Sequence, residues 1–306
     1  MVSIIMATYN RAHFIEETLE SIINQTYQDW ECLIIDDGGN DNTEEVLQKW
    51  LRKDARFTYL KRTPNHQKGL PGCRNQGIEL AKGDYIIFFD DDDIVHPQNL
   101  ELCVNYLNDV SYDFCRYMRT TFSGEFHYDF DYNKNIETFE ITSKDVYKLL
   151  THELPFNSCA IMWRKSCFKN NIFQEELMYA EDWELYSRIL MNPKTKGISI
   201  KKELFYGRKH FKSNTGEYFK GNSHRIKSKV SASVSVIQNL DSWKILDVKY
   251  VIFFLGIRPK SESKAILDAL IESKTLTTKE KLYARIRFTF LPLLKNLYRF
   301  KKKYVK

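Results

Sequence analysis

Tyr85-Ile86-Ile87-Phe88-Phe89-Asp90-Asp91-Asp92-Asp93 is the stretch from which this chain is best read. Five consecutive apolar residues fit a strand covered on both faces, as in a mostly parallel sheet with helices on either side. The end of that strand delivers four carboxylates to the edge of a rigid sheet, where open α/β folds bind ligands. Two carboxylates about 4 Å apart repel by roughly 4 kcal/mol at an effective dielectric near 20, so such crowding calls for a cation or a proton to offset it. A divalent metal is the expected occupant. The plainer alternative is a solvated acidic turn in which Asp93 caps the next helix.

Outward from this run the chain alternates strand and helix patterns from Val2 to about Arg119, the sign of βαβ units. Val2 to Met6 reads as a strand, and Ala12 to Gln25 sets Ile15, Leu19, Ile22 and Ile23 on one helical face. Cys32 to Ile35 gives a second strand ending in Asp36-Asp37-Gly38-Gly39. The helix after it takes Asp41 or Asn42 as cap and turns Val46, Leu47, Trp50 and Leu51 inward. Phe57 to Leu60 is a third strand, and Gly69 to Ala81 holds a helix that leads into the acidic one. The loops at the strand ends are polar, so four of them are placed to face one cleft. Further on, the aromatic and acidic segment from Phe122 to Ile141 reads as a hairpin or flap, Ser158 to Trp163 as a strand, Glu181 to Leu190 as a helix and Ile198 to His210 as an extended return to the sheet. Ser213-Asn214-Thr215-Gly216 breaks the pattern, and helices are expected over 223–240, 243–255, 261–273 and 279–300.

Composition bounds the function classes. At 306 residues and 43% hydrophobic the chain has enough apolar surface for one large core or two modest ones, which excludes a disordered or collagenous protein. Six cysteines without CxxC pairs argue against a zinc site or a disulfide framework and for a reducing compartment. A strand starting at Val2 leaves no room for a signal peptide, and no apolar run approaches the roughly 18 to 20 residues that span a bilayer, so a cytoplasmic location is expected. The net charge of +6 is uneven: from Lys274 onward eleven basic residues face one acid, Glu280, while the rest of the chain is mildly acidic.

Five strings in order, Ser3-Ile4-Ile5-Met6-Ala7-Thr8-Tyr9-Asn10-Arg11, Ile34-Ile35-Asp36-Asp37-Gly38, Gly72-Cys73-Arg74-Asn75-Gln76-Gly77-Ile78, Gly83 to Asp93 and Glu181-Asp182-Trp183, closely resemble the motifs of family 2 glycosyltransferases. The resemblance covers residues 2 to about 213. It implies an α/β GT-A fold, Rossmann-like with helices on both faces of a mostly parallel sheet, and an inverting transfer from a nucleotide sugar. The catalytic domain is then 1–216, with a nucleotide-sugar half of about 1–119 and an acceptor half of about 120–216, followed by a helical, basic region 217–306.

Carried over by position, the resemblance gives Ala7, Thr8 and Tyr9 to the first nucleotide-binding loop, with Ala7 where many relatives have proline. It gives Asp37 the uracil N3–H of a UDP-sugar, a donor that cytosine lacks, and it brings Arg74 toward the base or diphosphate. Asp92 is implied as the direct ligand of Mg2+ or Mn2+, with Asp90 on the ribose or a metal-bound water and Asp91 beside them; the cation would stabilise the charge that UDP gains as the sugar leaves. His210, in Tyr206-Gly207-Arg208-Lys209-His210-Phe211-Lys212-Ser213, is implied as a further metal or diphosphate contact, with Gly207 inserted relative to the family pattern. Asp182 is implied as the general base that takes the acceptor hydroxyl's proton while its oxygen attacks opposite UDP. The acceptor is expected to be a glycan or lipid-linked glycan. Enzymatic and non-enzymatic alternatives remain: a metal-dependent nucleotidyltransferase, which would release pyrophosphate, and a catalytically silent sugar-nucleotide-binding or scaffold subunit.

In the basic region Leu282, Ile286, Phe290, Leu293, Leu294 and Leu297 align as an apolar stripe beside Lys281, Arg285, Lys295 and Arg299, kinked at Pro292. An anionic membrane surface, on its cytoplasmic face, is one reading. Packing on the catalytic domain is a second. Nucleic acid is not expected as a partner, since no stacking motif accompanies the charge.

Overall fold

The computed structural model describes residues 1–133, 135–209, 214–257 and 262–290. They form two compact units, Met1–Gly221 and the residues from Asn222 on. In the first unit β1 (Val2–Thr8), α1 (Ile15–Ile23), β2 (Trp30–Asp36), α2 (Thr43–Lys53), β3 (Phe57–Lys61), α3 (Leu70–Leu80) and β4 (Tyr85–Asp90) alternate as the sequence predicts. After them come β5 (Ile94–Val95), α4 (Asn99–Leu107), β6 (Phe114–Phe122), β7 (Thr138–Thr142), α5 (Val146–Leu150), β8 (Ile161–Arg164), α6 (Glu181–Leu190), β9 (Lys196–Arg208) and α7 (Asn214–Phe219).

One sheet carries all of these strands, in the order β3-β2-β1-β4-β8-β6-β9-β5, with β7 also on β9. The pairs β3–β2, β2–β1 and β1–β4 are parallel, as short βαβ crossovers require. Beyond β4 the sheet becomes mixed: β8 lies antiparallel to both β4 and β6, while β6 and β9 run parallel. Because β8 reverses direction between them, β4 and β6 point their C-terminal ends to the same edge.

β4 is buried on both faces for a visible reason. Ile87 and Phe89 face a cluster that includes Ile15, Leu19 and Ile22 of α1 and Leu100, Cys103 and Leu107 of α4. On the opposite face Phe88 meets Phe168 and Phe173 edge-on, with centroids 5.8 and 5.4 Å away. There α3 lies directly on β1, since a side chain at Gly77 would begin 2.4 Å from Ile5 Cγ2. The strand end is therefore fixed from both sides before any ligand is considered.

Several sequence expectations are corrected. Asp93 does not cap a helix: the chain continues into β5, α4 starts at Asn99, and the Asp93 carboxylate accepts instead from the Arg208 N–H at 2.7 Å. The segment between Phe122 and Ile141 is not a hairpin, because β6 and β7 both pair with β9 rather than with each other. Its alternating aromatics pack ring against ring, Phe126 on Tyr128 (5.1 Å) and Phe130 on Tyr206 (5.7 Å), so their period reflects mutual packing and not a pleat. Residues 158–160 form a single 3-10 turn before β8.

The second unit consists of α8 (Ser223–Ser242), α9 (Val248–Ile257) and α10 (Lys264–Glu272), with residues 278–290 also helical. Asn222 caps α8 by accepting from the His224 and Arg225 N–H groups. The helix expected from Trp243 begins only at Val248, because Lys244 (φ 57°) ends α8 in a left-handed turn. Asp241 ties this turn to the segment after α10, accepting from Lys274 N at 2.9 Å and Thr275 N at 2.8 Å. No helix among the described residues is long and apolar enough to cross a membrane. Leu282, Ile286 and Phe290 are exposed, whereas Ala284 between them is buried. Pro292, Leu293, Leu294 and Leu297 lie outside the described residues.

Candidate functional site

Strand register assembles the site. Thr8 stands beside Asp36 and Ala7 stands between Ile35 and Asp90, so the first loop, the Asp36-Asp37 loop and the acidic loop occupy neighbouring rungs, about 4.8 Å apart per strand. Tyr9, just past β1, is 44% exposed, with the Lys68 ammonium 5.1 Å from its ring centroid. At the β2 end the two acids divide. Asp36 is buried and accepts from the Gly38 and Gly39 N–H groups and from the Tyr59 hydroxyl (3.1, 2.8 and 2.7 Å). Asp37 accepts from Arg62 Nε at 2.6 Å and Gly69 N at 3.0 Å, which draws the loop before α3 against the β2 end.

The acidic loop is held by arginines. Arg11 Nε lies 3.2 Å from Asp91 and 3.7 Å from Asp92, and Arg119 lies 3.6 Å from Asp93. Arg208 donates to the Asp92 carbonyl at 3.0 Å and pairs with Glu17, its guanidinium stacked near Phe122 and Phe14. A side chain at Gly207 would meet the Arg119 guanidinium at 1.7 Å, so the residue that interrupts the family pattern makes room for this arginine. Even so, burial pushes Asp91 up to about 7, helped by the charge of Asp92. Burial likewise raises Asp93 well above the usual carboxylate range, with Asp90 and Asp92 adding to the effect. Carboxylates that ionise this unwillingly suit a site that takes up a cation.

Oxygens of Asp90 and Asp93 and the Cys159 sulfur all lie within 4.8 Å of one another. Burial holds the Cys159 thiol well above its ordinary pKa, and magnesium and manganese take oxygen before sulfur. The carboxylates fit a hard divalent ion; the thiol does not. Asp90, with its side chain 39% exposed, is the acid of this run most open to the strand edge.

On the other side of the loop stands Arg74, only 2% exposed and set beside the touching Phe88 and Phe173 rings (5.4 and 5.5 Å). Its guanidinium meets Asp90 at 3.2 Å, Ser158 Oγ at 3.2 Å and Glu181 at 3.5 Å. Glu181 opens α6 after Ala180, which adopts a left-handed conformation (φ 64°). Burial and the neighbouring Asp182 raise Glu181 to about 7 against the pull of Arg74. Asp182 follows in the first turn, half-buried, and accepts from the Trp183 N–H at 2.7 Å. His210 lies outside the described residues.

Sequence reasoning gave no role to Asn10, Arg11, Arg119 or Arg208. Asn10 (φ 56°) bridges the first two loops by accepting from Asn40 N at 2.8 Å and donating to Asn40 Oδ1 at 3.0 Å. A short polar residue tolerant of the left-handed region, directly after a strand, is the signal that marks it.

A parallel sheet whose acid-bearing strand ends converge at one edge, extended by an antiparallel strand and a helix carrying paired acids, defines a fold of the GT-A type. The structure of S. aureus TarS 1-349 in complex with UDP superposes with a TM-score of 0.69 at 17% identity, covering 100% of this chain and 93% of that one. A mannosyltransferase from Pyrobaculum calidifontis in complex with GDP-Man and Mn2+ gives 0.56 at 15% identity, covering 97% of this chain and 87% of that one. The profile described as Glycosyl transferase family 2 matches residues 3–171, and the chain belongs to that family. It is 25% identical over 287 residues to the uncharacterized glycosyltransferase MJ1057 of Methanocaldococcus jannaschii, covering 91% of this chain and 97% of that protein. Over 119 residues it is 36% identical to the Escherichia coli UDP-Glc:alpha-D-GlcNAc-diphosphoundecaprenol beta-1,3-glucosyltransferase WfgD, covering 38% of this chain and 46% of that protein. Of an uncharacterized glycosyltransferase from Rickettsia bellii, 28% identical over 200 residues and 65% of this chain, the match spans only 27%.

Proposed function

We propose that the chain is an inverting glycosyltransferase that moves one sugar from a UDP-sugar to a hydroxyl of a glycan or lipid-linked glycan. The observation that carries this reading is the register that sets Thr8, Asp36 and Asp90 on adjacent strand ends, with Arg74 bridging Asp90 to the helix start that bears Asp182. Ala7, Thr8 and the exposed Tyr9 ring line the nucleotide, and Asp37 takes the uracil N3–H with the carboxylate lone pairs that Arg62 and Gly69 leave open. Asp92 and Asp90 hold Mn2+ or Mg2+, with Asp91 in salt bridge to Arg11 behind them. The bound ion supplies charge stabilisation to the departing UDP. The Asp90–Asp93 pairing favours a second arrangement, in which Asp93 replaces Asp92 as ligand. Asp182 removes the acceptor proton, and His210 is assigned to the diphosphate or metal.

Support for the donor comes from solved GT-A relatives with UDP and with GDP-Man and Mn2+. Support for a lipid-linked acceptor comes from the relative named for a diphosphoundecaprenol-linked substrate. The exposed stripe of Leu282, Ile286 and Phe290, with Arg285 and Arg287 flanking Ile286, suits an anionic membrane surface. The test is a panel of nucleotide sugars with Mn2+ or Mg2+, read by nucleotide release. UDP release that stops on chelation is the expected outcome. Pyrophosphate release points to nucleotidyl transfer, and UDP binding with no release under any acceptor points to a silent subunit; either defeats the proposal.

A further inference from the structure

We infer that Arg74 and Glu181 are positioning residues for sugar transfer, a buried tie that sets the spacing between the donor-holding acid Asp90 and the base Asp182; the inference rests on the reading above. Three facts carry it. Arg74 is nearly devoid of solvent contact, so its charge is sustained by its carboxylate partners and by the two rings beside it, not by water. Its two ends address different parts of the site: Nη2 reaches Asp90 at the tip of β4 and Nη1 reaches Glu181 at the start of α6. These segments are far apart in sequence, and a single residue of α3 pairs with both. The planar guanidinium fixes both carboxylates in one geometry, as a flexible ammonium with a single nitrogen does not.

Glu181 gains from this more than a partner. It enters the helix through Ala180 in the left-handed region, a conformation that an alanine adopts only when its surroundings impose it. The Arg74 contact supplies such a constraint one residue further on. Since Asp182 is the next residue of the same turn, anchoring Glu181 fixes where the Asp182 side chain starts. Misplacement by about 1 Å lowers a positioned reaction by on the order of 10²-fold, which sets the size of effect to look for.

The experiment compares Glu181→Gln, Arg74→Lys and the double variant in the full chain. It measures UDP affinity in Mn2+ by calorimetry and UDP release from UDP-glucose and UDP-N-acetylglucosamine. Glu181→Gln is expected to keep UDP affinity within about threefold while kcat falls at least about tenfold. Arg74→Lys is expected to lower both, because Asp90 and Glu181 lose their shared partner. The double variant should match Arg74→Lys within about threefold, since both changes cut one link. Multiplicative losses, or a folded Glu181→Gln with unchanged kcat, overturn the inference. If Arg74→Lys does not fold, Glu181→Gln decides alone: equal losses of kcat and UDP affinity mean a general disturbance and overturn it. Failure of the broader functional reading looks different, because the unmodified chain then neither binds UDP with Mn2+ nor releases it.

Discussion

Two acidic strand ends, at β2 and at β4, look alike in sequence and are built in opposite ways. The β2 end is balanced in charge within the fold: Asp36 has three neutral donors within 3.1 Å, and one Asp37 oxygen has a guanidinium and a backbone N–H. The β4 end gathers four carboxylates against arginines that only partly offset them, and burial raises two of the four acids. The difference shows that an acid run is a candidate ion site when its charges remain unbalanced within the fold, and a structural knot when they do not.

This contrast can be broken or sharpened by substitution. The largest effect is expected at Asp182→Asn, which should lower turnover on the order of 10²-fold or more while UDP affinity stays nearly intact; unchanged turnover would remove Asp182 from the mechanism. Next, Asp92→Asn and Asp93→Asn are compared for UDP affinity with and without Mn2+. The variant that loses the metal-dependent gain, by roughly tenfold or more, identifies the second ligand beside Asp90, and equal behaviour of both would erase the distinction between the acids.

Smaller changes follow at the self-satisfied sites. Asp36→Asn weakens its charge-assisted acceptance from Gly38, Gly39 and Tyr59 and should cost about 1 to 2 kcal/mol in denaturant unfolding, with no loss of metal dependence. A variant as stable as the parent would contradict the knot. In the second unit, burial opposes ionisation of Asp241, but the donors at Lys274, Ser273 and Thr275 win and hold it down to about 2 from an ordinary 3.8. Its contribution is therefore complete above about pH 4 and is lost as the pH falls through about 2, and Asp241→Asn should flatten that acid limb of the unfolding curve. The smallest effect is expected for Gly207→Ala. The colliding atom is the far end of Arg119, so the guanidinium swings away from Asp93 at a cost of about 1 kcal/mol, readable as a lowered Tm.

Much of this was visible beforehand because it is local. The period of Ile15, Leu19 and Ile22 predicts α1, and the unbroken apolar run from Tyr85 to Phe89 predicts a strand covered on two faces. The aromatic alternation from Phe126 to Tyr132 misled for the converse reason: a period of two is also produced by rings packing on one another in an irregular segment. Nor does local pattern reveal that Asp93 meets the Arg208 backbone, a partner 115 residues away.

The sequence alone determined the strand-and-helix alternation of the first half, the acid-rich strand ends and membership of a glycosyltransferase family, since these rest on neighbouring residues and on motif order. Only the tertiary structure decided which acids are neutralised and which stand crowded, that Arg74 is buried beside two rings, and that it joins the β4 tip to the α6 start. Those outcomes depend on burial and on charges brought together from distant segments. Such free energies belong to the folded arrangement and to no single stretch of chain.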